Sequence, residues 1–383
     1  MFQLQQRHPE MRHIALFGRP VGSDGVMILA VIIMPWRFAA CGVEKTILSY
    51  TNVLIAAIGV LILAATAVDL LLTAFVEGLG PLSLRTGLIL ARIMRFMVLR
   101  LKMRRILAWG GVLSVLLPLI IWTLLLWLGW ALIFCSQPGA VVAAGTTAPA
   151  DVWQRIYFTG YNLFTLGMGD FVPRGPIFEI LTDLCCASGF LLFGAAIAYL
   201  VPVISAATYK RQTGAYIWTL GTTPTEIIIQ SWDKDNCASI QPHLLALVPM
   251  LLGLSETHLT YPVLHFFRST RRPAAAGVNV AVLDEALTLM EHGLREEHRL
   301  SAASLIPIRA AIDQYILTLR PILGFAPEEG APPPPALDVL RRAGIPVVED
   351  GLFEKALSKQ VERRTLLRKL ARVEGWTWDA VGD

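Results

Sequence analysis

Hydrophobic positions in this chain gather into three long runs almost free of charge. Val53–Phe75 contains one charged residue, Asp69, while Val112–Phe134 and Leu184–Tyr209 contain none. About twenty apolar residues, rising ~1.5 Å each, cross a hydrocarbon core of roughly 30 Å. Backbone polar groups in lipid must pair within their own segment, so each run predicts a membrane-spanning helix. Between the second and third runs the pattern breaks. Ser136–Ala150 is rich in Ala, Gly, Thr and Pro and reads as a flexible turret. Asp151 can cap a short helix to about Phe164, amphiphilic and too short to span. A half-helix that dips in and returns as an extended strand fits that length. Such an element is tolerated only where protein or a water-filled cavity surrounds it.

Beyond Arg211 charges return. Ala281–Leu300, Ser301–Leu319 and Leu352–Val373 show helical apolar spacing with charges opposite, and Ala331-Pro332-Pro333-Pro334-Pro335 reads as a stiff linker. The expected fold is an all-α membrane protein. Its segments are a disordered N-terminal stretch at 1–50, a first membrane helix at 51–77, and a basic amphipathic connection at 78–111. A two-helix module with the half-helix follows at 112–209, then a helical cytosolic domain at 210–325 and a Pro-rich linker with a terminal helix at 326–383. Gly25–Trp36 is too short to span, so the N-terminal stretch is a lead-in, or Met27 or Met34 is the true start.

Composition agrees with a membrane setting. The chain has 383 residues, of which 55% are hydrophobic and 16% charged, against about a quarter charged in soluble domains. A net charge of +4 with no basic, aromatic-laced stripe gives no reason to expect nucleic acid. Cys41, Cys135, Cys185, Cys186 and Cys237 form no CxxC or Cys/His metal spacing, and Cys185 and Cys186 read as small packing residues. His258, His265, His292 and His298 lie apart from nucleophiles and suggest no catalytic motif, so the chain is not expected to be an enzyme or to need a cofactor.

Basic residues orient the spans. Arg85, Arg92, Arg95, Arg100, Lys102, Arg104 and Arg105 fill the connection after the first run, while Arg155 and Arg174 are the only basic residues between the second and third. Positive-inside bias puts the first connection in the cytoplasm, the second outside, and the chain after Lys210 and Arg211 inside. Arg92, Arg95 and Arg104 share a helical phase, yet the spans that a voltage sensor needs are lacking, so an amphipathic helix on the inner leaflet is the preferred reading. Asp69 is expected to form a structural ion pair with Arg92 or Arg95.

The most informative segment is Thr165-Leu166-Gly167-Met168-Gly169-Asp170. Glycine at alternate positions permits backbone angles that turn successive carbonyl oxygens one way. Several such strands around an axis would make stacked oxygen rings that replace a cation's water.

Tyr157–Pro173, YFTGYNLFTLGMGDFVP, resembles the pore helix and filter of the potassium-channel superfamily, in its bacterial one-pore-loop, ion-channel type 2 form. The family pattern is Thr-Val-Gly-Tyr-Gly-Asp. Thr165, Gly167, Gly169 and Asp170 match it, and Leu166 and Met168 replace the valine and the aromatic. The resemblance implies potassium sites at the carbonyls of Thr165, Leu166, Gly167 and Met168 and at the Thr165 hydroxyl, with Gly169 completing the filter and Asp170 at its mouth. Tyr157 and Phe158 stand where the family often has a tryptophan pair, and Tyr161 where some relatives carry a carboxylate that braces the filter aspartate. Gly189 falls at the family's inner-helix hinge, with Gly194 about a turn beyond, and Pro202 is expected to kink the helix. Glycine can equally serve close helix packing.

The resemblance implies a passive potassium channel that assembles as a homotetramer in a bacterial plasma membrane. Its partners would be itself and the bilayer, potassium its permeant ion, and no ligand of the cytosolic domain is identified. Met168 supports a weakly selective cation channel as an alternative. A membrane-anchored sensor or scaffold with a vestigial pore is another.

Overall fold

The computed structural model describes residues 50–73, 80–101, 106–324 and 330–382. The readings for the N-terminal stretch, Met27 and Met34 included, fall outside these residues. By its contacts the chain forms two units, Met1–Leu54 and Ile55–Asp383. The first is described only at residues 50–54, and the contacts below belong to the second.

Among the described residues, four helices are long and apolar enough to cross a membrane. The first three match the three sequence runs: α1 (Tyr50–Thr73), α3 (Ile106–Cys135) and the front of α5 (Pro176–Leu220). Gly59 lets α1 approach α3, since a Cβ there would lie 2.7 Å from the Gly129 carbonyl oxygen. Between α1 and α3 comes α2 (Pro81–Leu101), with Leu84, Arg85, Leu88 and Arg92 exposed and Leu90 buried. Residues 102–105, with Lys102, Arg104 and Arg105, lie outside the described part.

Asp69 departs from its expected role. It is buried and meets hydrogen-bond donors, whereas Arg92 is exposed and the Arg95 side chain lies outside the described part. Asp69 Oδ1 accepts from the Leu82 amide at 2.7 Å and Oδ2 from Ser83 Oγ at 2.8 Å and Trp122 Nε1 at 2.8 Å. A carboxylate at the first amides of a helix is favoured by their partial positive charge. Asp69 therefore fastens α1 to the start of α2 and to α3.

The helix of the third apolar run does not end at Lys210. α5 is one 45-residue helix, about 68 Å long at ~1.5 Å per residue, so it continues far past a bilayer's thickness. Its rear enters a C-terminal domain made of α6 (Pro224–Ser231), α7 (Gln241–Thr260), α8 (Ala276–Thr288), α9 (Ala302–Leu323), α10 (Leu337–Arg342), α11 (Asp350–Leu357) and α12 (Val361–Val373). The fourth long apolar helix is α7. Its face of Leu244, Leu247, Leu251 and Leu254 belongs to this domain's core, and it runs beside the rear of α5, where Tyr209 Oη donates to the Met250 carbonyl at 3.2 Å. We place α7 in the domain rather than across the bilayer.

All of α8 is buried, and its polar side chains each meet a neighbouring element. Asn279 Nδ2 donates to the Gly214 carbonyl of α5 at 2.8 Å. Asp284 receives Arg309 of α9 at 2.8 Å and Arg363 of α12 at 2.6 Å, and Glu285 receives Arg364 at 2.8 Å. Burial pushes the Asp284 carboxyl upward, but the two guanidinium groups outweigh it and hold it below the usual carboxylate range.

The segment 326–383 also departs from expectation, because its described part shares this core. Leu337, Leu340, Phe353, Leu357, Leu367 and Leu370 pack with α7, α8 and α9. The proline run is strapped down: Arg364 Nη1 donates to the Pro332 carbonyl at 3.1 Å and Nη2 to that of Pro333 at 2.7 Å. Proline lacks an amide hydrogen, and the carbonyls of an extended proline run have no internal partner, which leaves them open to a buried guanidinium.

Asp69→Asn presents an amide N–H where a donor already points, and is expected to destabilise the protein by about 1–3 kcal/mol. Arg92→Gln should stay within about 0.5 kcal/mol. Thermal unfolding in detergent measures both; equal shifts would contradict this role for Asp69.

Candidate functional site

The half-helix forms where the sequence places it, as α4 (Val152–Leu163). Asp151 Oδ1 accepts from the Gln154 amide at 2.8 Å, and Gln154 Oε1 accepts from the Asp151 amide at 2.8 Å. This reciprocal pair closes two of the amides that a helix start leaves free. Arg155 is buried behind it and donates through Nε to the Ala150 carbonyl at 3.0 Å and through Nη1 to the Cys135 carbonyl at 3.1 Å. Trp127 Nε1 on α3 reaches the Ile156 carbonyl at 3.1 Å. These contacts anchor α4 to the end of α3, and the sequence reading did not find them.

After α4 the backbone alternates. Thr165, Gly167 and Gly169 have φ of +55°, +59° and +78°. Every second residue is thus left-handed, a region that glycine enters freely and a β-branched residue rarely occupies. Left-handed residues in alternation turn successive carbonyls toward one side. The amides of Thr165 and Leu166 stay tied to α4, bonding the carbonyls of Asn162 at 3.0 Å and Tyr161 at 2.8 Å. Among the described residues, the carbonyls of Thr165 to Gly169 accept no hydrogen bond. All six residues from Thr165 to Asp170 are exposed, with Met168 at 56%.

Two features hold the outgoing strand. The turret is more ordered than expected, because Val141–Ala143 forms β1 and pairs antiparallel with β2 (Phe171–Pro173), setting Val142 opposite Val172. The Ala144 amide adds a 3.0 Å bond to the Asp170 carbonyl. The second feature is tyrosine. Tyr157 Oη donates to Asp170 Oδ2 at 3.2 Å, and Tyr161 Oη donates to the Phe171 carbonyl. Tyr161 thus reaches the next residue's backbone, and the aspartate is braced one turn earlier on α4.

α5 closes the site from behind. Cys185 is buried against α4, in keeping with a packing role. At Gly189 a Cβ would lie 1.8 Å from the Leu163 carbonyl oxygen, so close approach to the end of α4 requires glycine here. Gly194 has open surroundings, with nothing within 4 Å of an added Cβ. Pro202 lies inside α5, which continues through it.

A family described as Ion channel matches residues 120–206, which cover the rear of α3, all of α4 and the front of α5. The chain belongs to this ion-channel family and is a membrane protein. It is 34% identical over 274 residues to the uncharacterized membrane protein YdjJ of Bacillus subtilis (strain 168), which covers 72% of this chain and 80% of that protein. No solved structure matches.

Gly189→Ala must push α5 away from the end of α4, and overpacking of this kind costs roughly 1–3 kcal/mol. The loop after Leu163 should move with it. Ion flux through reconstituted protein is expected to fall by about tenfold or more; unchanged flux would show that the contact at Leu163 is not needed.

Proposed function

We propose that the chain is one subunit of a homotetrameric channel that conducts potassium passively through Thr165–Asp170. The observation that carries this reading is the left-handed alternation at Thr165, Gly167 and Gly169, with unpartnered carbonyls on an exposed loop. One strand cannot surround an ion, whereas four copies about a closed axis can. The cation sites would be the carbonyls of Thr165, Leu166, Gly167 and Met168 and the Thr165 hydroxyl, with Gly169 ending the filter. Asp170 at the mouth would concentrate cations. The C-terminal end of α4 carries partial negative charge and would favour a cation on the axis below it. No covalent step and no cofactor is involved. The bilayer would cover the outer faces, the arginine distribution supports a cytoplasmic C-terminal domain, and the resemblance to bacterial one-pore-loop channels supports a bacterial plasma membrane, the inner membrane where there are two.

Selectivity depends on how firmly the rings are held. Met168 has no hydroxyl to pin its own strand, and here the pinning comes from Tyr157 and Tyr161. Weak selectivity among cations is the second reading, favoured by the exposed thioether. Of the expected hinge residues, Gly189 is engaged in packing against Leu163, and we assign the hinge to Gly194, where an added Cβ would meet nothing within 4 Å.

Purified full-length protein in liposomes, in mixed potassium and sodium, tests the reading. The reversal potential should follow potassium, and Gly167→Ala should abolish flux, because alanine resists the left-handed angle by about 1–2 kcal/mol in each of four chains. A reversal potential that tracks sodium equally would favour the weakly selective channel, and absence of all flux a vestigial pore. In single-channel records, Gly194→Ala should lower open probability and leave the reversal potential unchanged; unaltered gating would remove the hinge.

A further inference from the structure

A buried polar cluster lies where the rear of α5 meets the C-terminal domain, and conduction makes no use of it. Lys210 Nζ of α5 is 2.7 Å from Glu374 Oε1, with both side chains nearly withdrawn from solvent. Glu374 also accepts from the Gly277 amide at 3.2 Å, which joins α12, α5 and the start of α8. His258 of α7 is buried beside this pair, with Nδ1 2.8 Å from the Leu254 carbonyl. That contact places its proton on Nδ1 and leaves a lone pair on Nε2. Among the described residues no partner reaches His258 Nε2, His265 Nδ1, Tyr315 Oη or Arg268 Nε, all buried. The His258 ring centre is 5.4 Å from that of His265 and 5.6 Å from that of Tyr315. Buried polar atoms are normally paired, so four orphans around one ion pair require an explanation.

The segment that carries His265 grips both helices flanking the filter. Val263 packs with Val115 of α3 and with Tyr199 and Val203 of α5, and Leu264 packs with Ala206 and Ala207. At Gly111, near the start of α3, a Cβ would lie 2.7 Å from the Phe267 ring. A change in the histidine cluster therefore acts at once on α3, α5 and the domain.

The groups facing the two imidazoles are Lys210 from α5, Arg268 from the segment after α7 and Tyr315 from α9, with Glu374 after α12 paired to Lys210. His243, nearer the start of α7, meets Tyr216 Oη at 3.0 Å on the exposed side of the same junction. Burial first, then the Lys210 charge, hold His258 well below its ordinary value. Burial, Lys210 and Arg268 push His265 down to about 3.

We propose that His258 and His265 form a proton-operated latch, in which a proton entering this cluster releases the C-terminal domain from α5 and from the start of α3. Both rings are neutral while docked. Released to solvent, each regains an ordinary value of about 6.5. The released form then binds more protons, so docking is fully stable above about pH 6.5 and weakens as pH falls below it. Between pH 7.5 and 5.0 the docking equilibrium should weaken by roughly thirtyfold for each imidazole released.

Hydrogen exchange of the full-length protein in lipid nanodiscs tests this, with rates corrected for the intrinsic effect of pH. Undocking is read without conduction, so the latch and the potassium reading can fail separately. Amides in α7 and the rear of α5 should lose protection at the lower pH. The double variant His258→Asn, His265→Gln should show no such loss, and His243→Gln should respond as the natural protein does. If the double variant does not assemble, His265→Gln alone should retain only about a thirtyfold response. Equal protection of the natural protein at both pH values, or an undiminished response in either variant of the pair, would overturn the latch.

Discussion

Five consecutive carbonyls, from Thr165 to Gly169, find no hydrogen-bond donor within the described chain. Backbone oxygens at membrane depth cannot remain so unless they are buried in protein or line a watery path. Satisfying them is the constraint to which the surrounding structure answers. Under the proposed function a dehydrated cation is that solution, and the left-handed turns at alternate residues would aim the oxygens toward it. Thr165 accepts a conformation that disfavours β-branched side chains, the kind of backbone strain that persists only where neighbours fix it.

Those neighbours are specific. The Asp151 cap, the Arg155 anchor and the Trp127 indole hold α4 against α3. β1 and two tyrosines hold the strand leaving the loop, and Gly189 lets α5 close against the end of α4. α5 then extends as one helix into the core of the C-terminal domain, where Lys210 and Asn279 join the two. The same helix that backs the Thr165–Asp170 loop is therefore held by the domain, so a change in docking has a direct mechanical route to the loop.

Much of this was legible in the residues. Apolar runs of membrane length, a short capped helix and alternating glycines are local patterns, and each appears where the sequence puts it. What escaped depends on partners distant in the chain. Charge is visible in sequence, so Asp69 suggests an arginine partner, whereas the donors it meets are two amides, a serine and the Trp122 indole. β1 is a three-residue strand in a turret of small residues, ordered only by pairing with β2. The proline run looked like a linker, since nothing local reveals that its carbonyls receive Arg364. α7 carries a membrane-length apolar stretch whose buried leucines take on meaning only beside α5, α8 and α9.

The central claim is that four copies of one loop present their carbonyls to a cation on a shared axis. Anomalous diffraction from crystals of the assembled protein grown with thallium or rubidium tests it most directly. The account predicts fourfold symmetry with anomalous peaks on the axis between rings formed by Thr165, Leu166, Gly167 and Met168. A loop on the outer edge of the assembly, or an axis without ions at those rings, would contradict it.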